Sequence, residues 1–353
     1  MLDRTERRRR FAARLTRPEF WPDWARHGPV VPYMVWLGLR HGSLTAFTAA
    51  NPGLPLGGFI GERKAPLLDK LAADAPDLVP PHVLVTAAEP EERVAVGRRF
   101  VAANGWPVVC KPDVGQRAHG VVIARDADTL DRALATSRSD HVLQGFVPGV
   151  ELGLLYLRHP DSEVGRLAGI GRKESRVLVG DGRSTLRELV LSLPETLAQA
   201  DVHLARLGVR AASVPARGEA VSLGEVGAHS GGARFSDAED LRTPALEQAV
   251  ERAGRALSDF HVGRFDVRAA SLDAVRAGEI QIIEVNGVGA EPVSLLDGSV
   301  GPLRLWAGMA AHWREAYAIG GWHARHGAPT SGIRGLLRGG REYRAQRAGE
   351  ASD

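Results

Sequence analysis

Two short segments carry the residues best suited to chemistry. Gly263-Arg264-Phe265-Asp266-Val267-Arg268 is followed, after a short connection, by Ile282-Ile283-Glu284-Val285-Asn286-Gly287. Residues two apart in a strand share a face, so Arg264, Asp266 and Arg268 point one way, and so do Glu284 and Asn286. Pairing the two strands sets two carboxylates and an amide oxygen on one face, flanked by arginines. Hard oxygen donors of this kind suit Mg²⁺, which takes one or two carboxylates and fills its shell with water and phosphate oxygens. The bland reading is the solvated face of an edge strand. Glu284-Val285-Asn286 inside an otherwise apolar strand makes it the weaker one.

A second constellation runs from Val108 to Val121, where Lys111 ends an apolar strand and a loop with Gly115 and Gly120 leads to a return strand. Such a loop can place an ammonium beside backbone N–H groups that cradle phosphate oxygens. It is not a Walker A loop, and Gly57-Gly58-Phe59-Ile60-Gly61 lacks the spacing of a dinucleotide fingerprint. By itself the loop reads equally well as a plain hairpin.

The chain has 353 residues, 44% hydrophobic and 25% charged, enough for a sizeable core and too apolar for disorder. Its 45 basic residues exceed its 42 acidic ones mainly at the two ends, so the near-neutral middle argues against a nucleic-acid track. Lys64, Lys70, Lys111 and Lys173 are the only lysines. Against that arginine background each lysine is a candidate for work that needs a compact ammonium. The lone Cys110 sits in an apolar run that reads as a buried strand, which points to a reducing, cytoplasmic setting. No secretory signal or spanning segment is expected, because the longest apolar stretch, Val30 to Leu39, contains Pro32 and Gly38 and stops at Arg40.

The elements that would position these residues follow from periodicity and punctuation. Residues 1 to 61 are rich in Trp, Pro and Gly and read as an irregular segment with one short helix. Next come a helix from Lys64, a strand at His82 to Thr86, a helix at Glu91 to Asn104, strands around Lys111 and at Gly120 to Arg125, a helix at Ala127 to Thr136 and a strand at Val142 to Val147. Beyond Pro148-Gly149 the pattern gives strands at Glu151 to Leu157 and Arg166 to Gly171, helices at Ser184 to Leu193 and Pro244 to Phe260, and the two strands of the carboxylate pair, expected to run antiparallel. A helix near Leu303 to Tyr317 precedes a basic tail, residues 326 to 353. Helices and strands alternate too densely for a bundle.

Together these features resemble the ATP-grasp superfamily of carboxylate–amine ligases, over roughly Glu62 to Trp322. The resemblance implies an α+β fold in which two lobes hold ATP between them, within a domain spanning 62 to 325 and hinged near 143 to 151. It assigns the first phosphate lysine to Lys64, with Lys70 as the competing choice, and the second to Lys111. Gly115 to Gly120 would be the flap over the phosphates. Gln144, Phe146 and Val147 would meet adenine and Glu151 the ribose; Gln144-Gly145 departs from the family's usual Glu followed by a basic or apolar residue. Arg172-Lys173-Glu174 is similar to the stretch in cyanophycin and bifunctional glutathione synthetases, with Lys173 or Arg172 facing the γ-phosphate. Asp266, Glu284 and Asn286 would bind Mg²⁺, two ions in all, with Mn²⁺ as a substitute.

The implied reaction is ADP-forming: a substrate carboxylate takes the γ-phosphoryl group, with Lys111, Lys173 and Arg264 neutralising charge, and an amine attacks the acylphosphate. His229, Arg234, Arg268 and Glu291 are substrate-side candidates, each with a structural alternative as loop cap or surface ion pair. Small-molecule carboxylate and amine substrates are expected, and a homodimer is compatible with the sequence. Two rivals are an ATP- and Mg²⁺-binding sensor or scaffold without turnover, and a membrane-surface protein using the basic ends and the Trp-rich segment.

Overall fold

The computed structural model describes residues 2–86, 89–115, 119–224 and 232–350, with main chain only from 346. The α+β expectation holds: two antiparallel sheets, each backed by helices, face one another across a cleft. The first sheet has strand order β1-β4-β2-β3, formed by β1 (His82–Val85), β2 (Val108–Pro112), β3 (Val122–Ala124) and β4 (His141–Gly145). Its apolar side, including Val108, Cys110 and Leu143, packs against α5 (Pro90–Asn104) and α6 (Ala127–Thr136). Asp126 caps α6 by accepting from the Thr129 N–H, which fixes where β3 gives way to helix.

The second sheet runs β11-β10-β5-β6-β9, from β5 (Val150–Leu157), β6 (Arg166–Glu174), β9 (Arg234–Asp237), β10 (Val262–Ala269) and β11 (Gln281–Asn286). Leu152, Leu154 and Tyr156 of β5 are fully buried against Phe260, Phe265 and α10 (Pro244–Ala256). A strand this apolar belongs at the centre of a sheet, and β5 lies between β10 and β6. β10 and β11 pair antiparallel as expected, with Arg264 opposite Asn286 and Asp266 opposite Glu284. Their connection holds a short helix, α11 (Leu272–Arg276). Helix α4 (Lys64–Asp74) begins at the cleft and buries Leu67, Leu68 and Leu71 in the same core.

Three parts differ from expectation. The N-terminal segment forms three helices, α1 (Arg4–Leu15), α2 (Asp23–His27) and α3 (Val31–Arg40), instead of one. The capping box of Asp3 with Glu6 starts α1, a local signal that the run of arginines obscured. The region after Gly182 holds the expected helix as α7 (Leu186–Ser192) but adds α8 (Pro194–Ala198), α9 (Ala200–Leu207) and a two-stranded sheet of β7 (Val177–Val179) and β8 (Ala220–Ser222). These short elements share a satellite core with Leu2 of the N-terminus. Finally, the helix expected to end at Tyr317 continues as α12 (Pro302–Arg325), and the basic tail forms α13 (Gly332–Glu350). Phe47, Trp313 and Tyr317 pack edge-on where the N-terminal segment meets α12. Among the described residues no helix is long and apolar enough to cross a membrane.

Candidate active site

A cavity of about 570 Å³ lies between the two sheets. Lys64, Lys111, Lys173, Arg264, Asp266, Glu284 and Asn286 all line it. Each arrives from a different position in the fold: Lys64 from the first turn of α4, Lys111 from β2, Lys173 from β6, and the rest from the β10–β11 pair. Of the two competing lysines the structure brings Lys64 to the cavity, while Lys70 points outward, exposed. Lys173 lines the cavity, whereas Arg172 pairs with Glu174 at 2.9 Å.

The charges are tightly interlocked. Asp266, 4% exposed, receives Nε and Nη2 of Arg264 at 2.6 and 3.1 Å and Nζ of Lys173 at 2.8 Å. Burial alone would raise its pKa, but these two cations outweigh it and hold the carboxyl below the usual carboxylate range. Glu284 pairs with Lys64 at 3.3 Å. Lys64 also donates to the Gly115 carbonyl at 2.7 Å, tying α4 to the start of the glycine loop. Lys111 donates to Gln144 Oε1 at 2.7 Å and to the Ile283 carbonyl at 2.6 Å, bridging the two sheets. Burial lowers its pKa to about 8.

At the hinge end, Gln144, Phe146, Val147 and Glu151 line the same cavity. Gln144 is 1% exposed and its Nε2 has no hydrogen-bond partner in the structure, so the cavity presents a buried donor there. Glu151 faces Lys173 at 3.4 Å and Arg268 at 3.8 Å. Arg268 packs over the Phe146 ring, 5.1 Å from its centroid, and donates to the Gly149 carbonyl. It therefore sits on the segment expected to be the hinge, beside the residues expected to meet adenosine. Arg234 lies exposed at the start of β9, opposite Glu174, and does not line the cavity. His229 lies outside the described residues, as do positions 116–118 of the glycine loop. Gly120 is described, with φ +70°, but is not among the cavity-lining residues.

Sequence reasoning missed one whole wall. Arg14, Glu19, Trp21, Arg26 and His27 of the N-terminal segment line the cavity. His27 Nε2 lies 2.6 Å from Glu291 Oε1, and the Glu291 carbonyl accepts from Arg264 Nη1 at 3.1 Å, so this wall is fastened to the carboxylate strands. Glu19 is 5% exposed with Oε2 unpartnered, and Arg26 Nε is likewise buried without a partner. Glu62, two residues before Lys64, also lines the cavity with a buried, unpartnered Oε2; burial, followed by the nearby Glu284 charge, raises its pKa to about 7. A buried polar group two residues ahead of a cleft lysine was the available signal for Glu62. Nothing local marked residues 14 to 27, because their wall exists only once α1 and α2 fold back onto the cleft.

The donor set fits a hard divalent cation. Among the described residues no cluster of three or more His, Cys, Asp and Glu side chains forms a closed metal site. A Mg²⁺ site needs only one or two carboxylates when phosphate and water supply the rest. Asp266, Glu284 and the Asn286 amide provide that partial set, and Glu62 keeps an unpartnered buried oxygen on the same cavity, close enough to Glu284 to feel its charge.

No protein-family profile matches the chain, and neither does any curated protein. Among solved structures it is similar to a bifunctional glutathione synthetase from Pasteurella multocida, at 19% identity over 65% of this chain and 34% of that one, with a TM-score of 0.37. It is also similar to the ATP-grasp ligase PsnB complexed with minimal precursor (16%, covering 66% and 52%, TM-score 0.34). A third likeness is to the D-alanine–D-alanine ligase of Bacillus anthracis (16%, covering 77% and 70%, TM-score 0.41). The chain spans a third to a half of the first two structures. At such identities and scores, the class to which the protein belongs rests on its own cavity and the residues that line it.

Proposed function

We propose that this protein is an ADP-forming ATP-grasp ligase that joins a small carboxylate to an amine. The observation that carries the reading is the convergence of Lys64, Lys111, Lys173 and Arg264 with Asp266, Glu284 and Asn286 on one cavity between two sheets. Four cations facing three oxygen-bearing side chains form a site for a polyanion accompanied by a metal ion, and a nucleoside triphosphate is such a ligand. Asp266, Glu284 and Asn286 would hold Mg²⁺, which when bound neutralises charge on the phosphate chain.

Lys64 and Lys111 would hold the inner phosphates, and Lys173 with Arg264 the phosphoryl group in transit. Gln144, Phe146 and Val147 would take the base, with the free Gln144 Nε2 as a donor to it, and Glu151 would take the ribose hydroxyls. A carboxylate oxygen of the substrate attacks the γ-phosphorus, the bond to the β-phosphate oxygen breaks, and ADP leaves. The amine then attacks the acyl carbon, phosphate departs and the amine loses its proton. In both steps the protein's part is placement and neutralisation. Arg26, whose buried Nε has no partner, would receive the carboxylate, while His27, held between the Asp23 carbonyl and Glu291, would fix this wall to Arg264 and Asp266. We divide the chain accordingly into a segment 1 to 61 that walls the substrate end, a catalytic unit 62 to 325, and a C-terminal helix.

The experiment is incubation with Mg-ATP and pools of carboxylates and amines, read by mass spectrometry for ADP, phosphate and a condensed product. Nucleotide binding without substrate-dependent ADP release would leave a sensor or scaffold as the better reading.

A further inference from the structure

The geometry points to a face for docking on an anionic lipid bilayer, formed by α3 and α13. Helix α3 buries Leu37 and Gly38 and turns Val31, Val35, Trp36 and Leu39 outward. Trp36 is 50% and Leu39 73% exposed. Large apolar side chains on successive turns of one helix are not the scattered surface residues of an ordinary soluble protein. Leu44, after α3, is 40% exposed, and the chain then turns inward toward the start of α13. There the Ser331 and Gly332 N–H groups donate to the Thr48 and Thr45 hydroxyls at 3.1 Å each, pinning the beginning of α13 to the turn that follows α3.

Helix α13 repeats the pattern with charge added. Tyr343 is buried and Leu336 packs against the core formed with α12, so these residues mark its inner side. Ile333 and Leu337 are exposed, and so are Arg334, Arg338 and Arg341. A helix with outward aliphatics interleaved with arginines suits the interface of a bilayer, its apolar side chains in the acyl boundary and its guanidinium groups among headgroups. The segment between Val30 and Gly61 contains no Asp or Glu, and Arg40 lies over the Trp36 ring at 5.6 Å. This charge selects the occupant. Two copies of the face brought together would set mostly arginine against arginine, Glu342 being the one exposed acidic side chain of α13 among the described residues, whereas an anionic bilayer complements it.

The test is flotation of the full chain with phosphatidylcholine vesicles and with phosphatidylcholine–phosphatidylglycerol vesicles, at low and high salt. Binding is expected to the mixed vesicles and to weaken with salt, since the charge component is screened. The double variants Trp36→Ser with Leu39→Ser, and Arg338→Glu with Arg341→Glu, should each lower the partition coefficient by about tenfold or more while leaving circular dichroism unchanged. Failure to float with either vesicle, or flotation that neither variant weakens, overturns the assignment. A concentration-dependent dimer abolished by the Trp36 and Leu39 changes, without vesicle binding, overturns it in favour of a contact between copies. None of these readouts involves nucleotide turnover, so the ligase reading stands or falls separately.

Discussion

Asp266 and Glu284 are direct partners across the β10–β11 ladder, yet different cations answer them: Lys173 and Arg264 hold Asp266, and Lys64 holds Glu284. The two carboxylates thus share one face without sharing a counter-ion. In the proposed reaction, phosphate entering the cavity would compete for those same cations and free the carboxylates for a metal. Asp266 is too deeply buried for a clean test, because removing its charge strands two cations at a cost of about 3–5 kcal/mol. Glu284 is 27% exposed. Glu284→Gln should lower kcat on the order of 10²–10³-fold and leave the melting temperature almost unchanged. Steady-state kinetics beside thermal unfolding checks both, and retained activity would remove Glu284 from the site.

Lys111 has a neutral partner in Gln144, so burial is opposed only by more distant carboxylates and its pKa falls to about 8. In the proposed reaction its charged form would hold phosphate. The KM for ATP should therefore rise as pH climbs through about 8. Gln144→Glu sets a carboxylate against the ammonium and should move that limb alkaline by about one unit or more. The stability sign runs the other way. Because the folded pKa lies below the unfolded 10.5, the unfolded chain binds more protons between the two values, and this group's contribution to stability grows as pH rises.

The His27–Glu291 pair predicts a pH window for the N-terminal wall. The hydrogen bond to Glu291 raises the His27 pKa above 6.5 despite burial. Burial works against Glu291 too, but His27 and Arg26 hold it below 4.5. The histidine contribution is complete below 6.5 and is lost as pH rises through its elevated value; the glutamate contribution is complete above 4.5 and is lost as pH falls through its depressed one. His27→Gln should therefore destabilise most between those ordinary values and progressively less toward alkaline pH. With His27 a third exposed, about 1 kcal/mol is expected. Thermal melts across pH read the effect, and a pH-independent difference would contradict the pairing.

Gly58 and Gly287 meet backbone to backbone directly after the metal-side strand. A Cβ on Gly58, whose φ is +71°, would lie 2.6 Å from the Gly287 Cα. Gly58→Ala should cost about 2–3 kcal/mol, read by denaturant unfolding, from overpacking and the positive φ together. It should also slow turnover by shifting Asn286, although Gly58 touches no substrate.

Much of the site was legible because it is written in strands. Alternation placed Asp266 and Glu284 on paired faces, and the rarity of lysine singled out Lys111, Lys173 and the pair Lys64 and Lys70, between which only the fold decides. What the glycine pair at 57 and 58 does instead of binding a dinucleotide was not legible, because its close approach is to Gly287, far away in sequence. The three N-terminal helices and α13 were obscured by Gly, Pro and arginine density, since their stability comes from packing on α12 and on the satellite core. For the same reason the wall formed by Glu19, Arg26 and His27 has no local signature. Arg234 looked equivalent to Arg268 in the sequence, and only the strand registers separate an exposed edge residue from one packed on the hinge.

The most direct test of the central claim is the fate of the nucleotide. With Mg-ATP and a competent carboxylate and amine, the protein should release ADP and phosphate in equal amounts with one condensed product, and Lys111→Ala should abolish all three. AMP and pyrophosphate, or ADP release indifferent to both substrates and to Lys111→Ala, would contradict the account.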